Sequence, residues 1–354
     1  MRYLTRAGDC GVITGAAKQS RYDEAGGMTG CELVTKAIEF DRPERLPFFQ
    51  NIYPGAPSDV CDSWELDRQK AGWFFDNPEP DDWGCLWKIT EVKNMGQIVK
   101  GPLEDWAALD SYLPPDPTDP FYFKKVADEI AAPGDRYVCL TSHFNLFERL
   151  HMLHGFARTL EDFYLEPEKI ERVLDMILDF KIAQVDEMHR RFGDRVHGVF
   201  LTDDWGTQNA TFISPKLFND FFFDRYRTLV DRYHEHGYHF MLHSCGRINE
   251  FVELFIAAGV DVMNMQQPRA YGIEEIGRRY AGRIAFLATV DIQATLPTAD
   301  AGLIRREAHD LVNNWCTPDG GFIVFNYGDG EGIGVPESVS DIMFEAFMEK
   351  MWLR

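Results

Sequence analysis

From residue 29 onward, the apolar positions switch repeatedly between the 3.6-residue repeat of a helix and short uninterrupted runs. "TGCELVTKAIEF" carries the helical spacing, with Thr29 placed to cap its start and Glu32 three residues on, the pairing of a capping box. "DRPERLPFF" then turns into a short strand at 46–49. Beyond residue 120, helix 121–132 precedes strand 137–141 (YVCLT), and a helical stretch at 158–192 precedes strand 197–202 (HGVFLT). Helix 215–236 leads to strand 238–243 (YHFMLH), and helix 247–258 to strand 260–264 (VDVMN). Helix 273–280 leads to strand 283–288 (RIAFLA), helix 300–314 to strand 321–325 (GFIVF), and a last helix fills 336–351.

Strands this short and this apolar belong to parallel sheet covered on both faces by helices. About seven or eight of them, with no second pattern, predict an α/β fold built as a single (β/α)8 TIM barrel. A doubly wound open sheet is the alternative, and it lacks the G-x-G-x-x-G turn after its first strand. Residues 1–28, polar and Gly-rich, read as an N-terminal leader, and 29–354 as the barrel. The Pro-, Trp- and Asp-rich region 53–120 ("NPEPDDWGCLWK", "LPPDPTDP") reads as an elaborated insertion or lid with a few short strands rather than a second domain.

Charge narrows the function. A net charge of −21 argues against nucleic acid, which needs a basic footprint, and against a polybasic membrane contact. No apolar run approaches the ~20 residues that span a bilayer. The opening "MRYLTRAGDCGVITG" has no apolar core of a signal peptide, and the seven Cys (10, 31, 61, 85, 139, 245 and 316) include no CxxC pair. A cytoplasmic protein with free or metal-bound thiols is expected, with a small-molecule substrate and room for a homodimer.

In a TIM barrel, chemistry gathers at the C-terminal ends of the strands. Strand 197–202 is followed by Asp203, Asp204, Trp205 and Gln208; strand 238–243 ends in His243 with Cys245 two residues on. Later ends carry Asn264, Gln266 and Gln267, then Asp291 and Gln293, then Asn326, Tyr327, Asp329 and Glu331. Residues i and i+2 of extended chain share a face, so His243 and Cys245 can both aim into the mouth, and imidazole with thiolate suits zinc. The competing reading is a hydrogen-bonded His beside a buried thiol. Asp203 and Asp204 are candidate catalytic carboxylates or simple caps of the next turn. Asp329 and Glu331 lie in a Gly-rich loop able to bring a carboxylate to a metal. Phe49, Gln50, His143, Trp205, Gln208, Gln266, Gln293, Asn326 and Tyr327 are candidate substrate contacts.

"AIEFDRPERLPFF", "DDWGTQNATFISPKLFNDFF", "HSCGRINEFVELFIAAGVDVMNMQQP", "ATVDIQATLP" and "GGFIVFN…VPESV" together resemble the uroporphyrinogen decarboxylase superfamily over about residues 29–351. That superfamily includes the decarboxylases and cobalamin-linked methyltransferases, and the resemblance implies the same barrel. The decarboxylases carry an Arg-rich stretch after the first strand to grip the substrate's carboxylates. Here "FFQNIYPGAPSDVCDSWELD" holds no Lys or Arg, which turns the expectation away from a porphyrinogen. The methyltransferase branch implies zinc held by H-x-C plus a Cys after the last strand. His243 and Cys245 match; near 328 the chain reads Tyr327, Gly328, Asp329, leaving Asp329 or Glu331 to replace the thiolate. The expectation is a corrinoid-dependent methyltransferase served by a separate corrinoid protein, with cobalamin on that partner. The alternative is a decarboxylase of that family acting on a porphyrinogen-like or other carboxylated substrate, with Asp203 or Asp204 as proton donor.

Overall fold

The computed structural model describes residues 27–49, 58–64, 66, 80–88, 96–328, 330 and 332–351. It opens on helix α1 (Gly30–Glu39), where Thr29 accepts from the Glu32 amide and Glu32 reaches back to the Thr29 amide, so the predicted capping box is present. The chain then runs β1 (Phe48–Phe49), β2 (Val60–Ser63), β3 (Leu86–Lys88), β4 (Gln97–Lys100), α2 (Lys124–Glu129) and β5 (Tyr137–Ser142). Helices α3 (Leu146–His154), α4 (Phe156–Leu165) and α5 (Pro167–Phe192) lead to β6 (Gly198–Thr202). Next come α6 (Pro215–Phe218), a π-helical turn (Asn219–Phe223), α7 (Asp224–Glu235), β7 (His239–His243), α8 (Val252–Ala257) and β8 (Val262–Met265). The chain finishes with α9 (Pro268–Tyr271), α10 (Ile273–Tyr280), β9 (Ala285–Ala288), α11 (Ala301–Trp315), β10 (Phe322–Phe325) and α12 (Glu337–Met348).

Eight strands pair in the order β1-β10-β9-β8-β7-β6-β5-β2, every pair parallel. The seam between β1 and β2 is tied by Asp59, whose amide donates to the Phe48 carbonyl (2.8 Å) and whose carboxylate accepts from the Phe48 amide (2.8 Å) and pairs with Arg45. The predicted (β/α)8 TIM barrel is the fold. One expectation changes: region 53–120 is more than an insertion, because it supplies β2, a barrel strand paired with β5, alongside the separate β3–β4 pair. Its polar and Pro-rich surroundings hide a strand only four residues long.

Helix boundaries moved for identifiable reasons. The expected 158–192 helix is broken at Glu166, which precedes Pro167 and so leaves the helical region (φ −138°, ψ 50°). The 215–236 helix holds a π-helical turn. The 247–258 helix begins only at Val252, because the Arg247 amide is committed to the Thr207 carbonyl (2.7 Å) and the Asn249 side chain to the Tyr271 carbonyl (2.7 Å). Among the described residues no helix is long and apolar enough to cross a membrane.

Candidate metal centre

The barrel interior is a cluster that includes Phe49, Phe200, Met241, Val262, Leu287 and Phe325. Side chains alternate along a strand, so two residues beyond Phe200, Met241 and Val262 the inward positions are Thr202, His243 and Asn264. The register sets them side by side, Thr202 opposite His243 and His243 opposite Asn264. His243 therefore enters the mouth as the next layer above an apolar core.

Its neighbour decides its tautomer. Asn264 donates through Nδ2 to the Leu287 carbonyl (2.9 Å), which turns Oδ1 toward His243 Nδ1 at 2.7 Å. Gln266 Nε2 donates to the same Oδ1 (2.8 Å). An acceptor there requires the imidazole proton on Nδ1, leaving the Nε2 lone pair free for a cation. That Nε2 stands 3.3 Å from Cys245 Sγ and 3.5 Å from Asp204 Oδ1. One ligand atom from each of Asp204, His243 and Cys245 lies within 4.8 Å of the others. Tetrahedral zinc at ~2.0–2.3 Å from each ligand implies spacings of about 3.5 Å, so the donor set fits in type and in separation.

Asp204 reaches this position because the Cys245 amide donates to its Oδ1 (2.7 Å). The loops after β6 and β7 are laced further: the Asp203 amide donates to the His243 carbonyl (3.0 Å) and the Trp205 amide to Ser244 Oγ (3.0 Å). Gly246, at φ 80°, packs so closely on Gly206 that a Cβ would lie 2.1 Å from its carbonyl oxygen. Both "DDWG" and "HSCG" need their glycine for this crossing.

Electrostatically the pocket calls for positive charge. Burial pushes the Cys245 thiol well above its ordinary range, with Asp204 and Glu148 adding to the rise. Burial likewise raises the Glu148 carboxyl well above the usual range, helped by Asp204 and Asp203. Burial lifts Asp203 to about 7 against the pull of Tyr226 and the Glu148 and Phe147 amides. A divalent ion would reverse the cost for the thiolate and for the acids beside it.

The structure sorts the other expected residues. Asp203, expected as catalytic, is fully buried; its carboxylate accepts from Phe147 N (3.1 Å), Glu148 N (2.7 Å) and the Tyr226 hydroxyl, clamping the start of α3. Trp205, expected against substrate, is a core residue instead: it is fully buried, stacked on Phe147 with centroids 4.5 Å apart and edge-on to Phe222 at 4.7 Å. Phe49 and Asn326 are buried at the mouth end of β1 and β10, and His143 at that of β5. Gln208 donates to Gln267 (3.2 Å) rather than into the centre, and Gln293 is exposed at the rim. Tyr327 is half-buried. Gln50, Asp329 and Glu331 lie outside the described residues.

Three residues escaped the sequence reading. Phe200 lies 6.2 Å from the His243 ring and 6.2 Å from Phe325, and Trp64 stands 6.2 Å from Phe200 and 5.4 Å from His143. Trp64 keeps 37% of its surface exposed, so these rings form an apolar wall open to solvent on one side. Glu148 brings a third acid to the site. Phe200 was legible as one strand layer below Thr202; Glu148, inside a helical stretch, carried no distinguishing signal.

Comparisons with known proteins agree with the fold. Over 92% of this chain and 99% of the other, the structure is similar to a methyltransferase from Methanosarcina mazei, with a TM-score of 0.66 at 12% identity. Two looser matches, an IOLI protein with a bound zinc atom (12% identity, 66% of this chain and 86% of that one) and a D-psicose 3-epimerase (10%, 69% and 85%), score 0.36 and 0.33, too low to bear on the argument. No curated protein matches the chain in sequence. The sequence model of uroporphyrinogen decarboxylase (URO-D) matches residues 98–349, which takes in β5 to β10 and every residue of the Asp204–His243–Cys245 group, and the chain belongs to that family.

Proposed function

We propose that this protein is a corrinoid-dependent methyltransferase, moving a methyl group between a small donor, such as an aromatic methoxy compound or an amine, and a corrinoid held by a separate protein that docks at the barrel mouth. The observation that carries the reading is the convergence of Asp204, His243 and Cys245 at the strand ends. The fold likeness to a protein described as a methyltransferase supports it. Zinc held by these three residues would supply Lewis-acid polarisation of the heteroatom that bears the methyl group. Asn264 keeps the His243 lone pair aimed at that point, and Asp203 positions α3. The wall of Phe200, Trp64 and His143 gives a flat donor an apolar surface and keeps bulk water from one side of it.

The family's other chemistry, decarboxylation with an Asp as proton donor, requires cations on the substrate's carboxylates. Around His243 stand the Asp204 carboxylate and the Cys245 thiol, with the Glu148 carboxyl acting on that thiol, a poor reception for such a substrate. The test is metal analysis of the purified protein together with methyl transfer to a reduced corrinoid followed by its absorbance. Stoichiometric zinc, and turnover abolished in His243→Ala, is the expected result. Carbon dioxide release with no corrinoid requirement would replace this reading with the decarboxylase.

A further inference from the structure

The direction of a side chain is set by the two peptide planes that flank its Cα, one fixing φ and the other ψ. At Cys245 both planes are held from outside its own loop. In the Ser244–Cys245 peptide, the amide donates to Asp204 Oδ1 (2.7 Å) and the carbonyl accepts from the Tyr271 hydroxyl (3.2 Å). In the Cys245–Gly246 peptide, the Gly246 amide donates to Gln267 Oε1 (3.2 Å). That amide can only donate, which fixes the orientation of the Gln267 side chain, and Gln208 Nε2 donates to the same oxygen (3.2 Å). Gln267 is the N-cap of α9 and Tyr271 its last residue, so one short helix after β8 grips the ligand loop with both ends. The helix is itself tied down. Pro268 opens it, the Arg269 amide donates to Asp291 Oδ2 (3.1 Å), and Asn249 Nδ2 donates to the Tyr271 carbonyl (2.7 Å). Gln267, Tyr271 and Ser244 are all buried, which shields these bonds from water.

We propose that Gln267 and Tyr271 are positioning residues for the thiol ligand. By pinning the peptides on either side of Cys245 they fix its Cα–Cβ direction and hold Sγ toward the point it shares with His243 Nε2 and Asp204. This rests on the metal-assisted methyl-transfer reading above. With both planes fixed, the thiol keeps only its rotation about Cα–Cβ. At 3.3 Å from His243 Nε2 it already has the separation that two ligands of one tetrahedral ion require. Cys245 is the only sulfur in the Asp204–His243–Cys245 group, so its placement bears directly on metal affinity. At 3.2 Å both contacts from α9 lie toward the long end of the hydrogen-bond range, so their weight is in direction more than in strength.

Cobalt(II) is the probe, because its thiolate charge-transfer absorption follows the overlap of sulfur with the metal. Gln267→Leu and Tyr271→Phe, made in the full chain, remove opposite ends of the grip, so either one tests it alone. Each is expected to weaken cobalt binding about tenfold, the low end of losses at groups that orient metal ligands, and to diminish the charge-transfer band. A merely structural role would lower the denaturation midpoint of the metal-free protein and leave affinity and band as in wild type. That result would overturn the proposal. A second readout needs no metal. In Gln267→Leu the Gly246 amide should exchange with solvent about tenfold faster, and Gln267→Glu, which restores an acceptor, should return it to the wild-type rate. Unchanged Gly246 exchange in Gln267→Leu would also overturn it. A wild type that takes up no cobalt would instead sink the metal-assisted reading, while the amide exchange judges the hold of α9 alone.

Discussion

Strand β7 begins and ends in histidine, and the two ends behave differently. At the barrel floor, His239 places Nδ1 at 2.9 Å from the Tyr137 hydroxyl and Nε2 at 3.5 Å from Glu39. Its neighbours there are spent in the same pairwise way: His197 accepts from the Val138 amide (2.8 Å), His234 meets Asp261 (2.8 Å) and His236 meets Asp186 (2.9 Å). At the mouth, His243 uses Nδ1 on Asn264 and leaves Nε2 facing a thiol and a carboxylate from two other positions. Both side chains sit on the inward face of one strand. A floor histidine is a structural pin; a mouth histidine is a half-used ligand. The distinction lies in convergence, not in residue type.

Breaking that contrast gives the largest predicted effect. His243→Ala or Cys245→Ser should lower zinc affinity on the order of 10²–10³-fold in chelator competition, as expected for losing one ligand of a small set. His239→Gln should leave zinc affinity unchanged and lower only the denaturation midpoint. Equal losses from both ends would erase the comparison. Next, Asn264→Ala removes only the orienting acceptor, and zinc should bind roughly 10–100-fold more weakly with its stoichiometry preserved.

Glu148→Gln sharpens the picture through pH. Burial raises the folded carboxyl above its unfolded value near ~4.3. Its protonation therefore stabilises the fold fully below that value, and the contribution is lost as pH rises toward the folded one. Melting of metal-free protein should show the Gln variant gaining on wild type as pH rises above the unfolded carboxyl value, by up to ~1.4 kcal/mol per pH unit. A constant difference would refute it. The smallest effect belongs to the floor. Asp261 raises the pKa of His234, so that pair stabilises below ~6.5 and fades as pH climbs through the folded value. His234 is 39% exposed, which limits the effect to a few tenths of a kcal/mol, readable as a small pH-dependent shift in His234→Gln denaturation midpoints.

The barrel and its mouth were legible because short apolar strands and strand-end residues follow simple periods. His243 and Cys245 came from the i, i+2 rule and meet as expected. The third partner did not follow from spacing. Asp204 was visible as a strand-end acid, but its turn toward the thiol depends on a backbone amide 41 positions away, a tertiary fact. Trp205 misled because proximity to the strand end was read as exposure, whereas the ring folds back under α3 and the π-helical turn. Short strands were expected within 53–120, but β2 was not read as a barrel strand, because four residues amid Pro and Asp carry too little pattern to show which sheet they join.

The contact between Gly206 and Gly246 has a practical side. Neither strand-end segment can be transplanted into another barrel by itself: 203–207 and 243–247 form a matched set, like two teeth of one clasp. Anyone reshaping the barrel mouth by loop exchange must move both, or lose the alignment of the Cys245 thiol with Asp204.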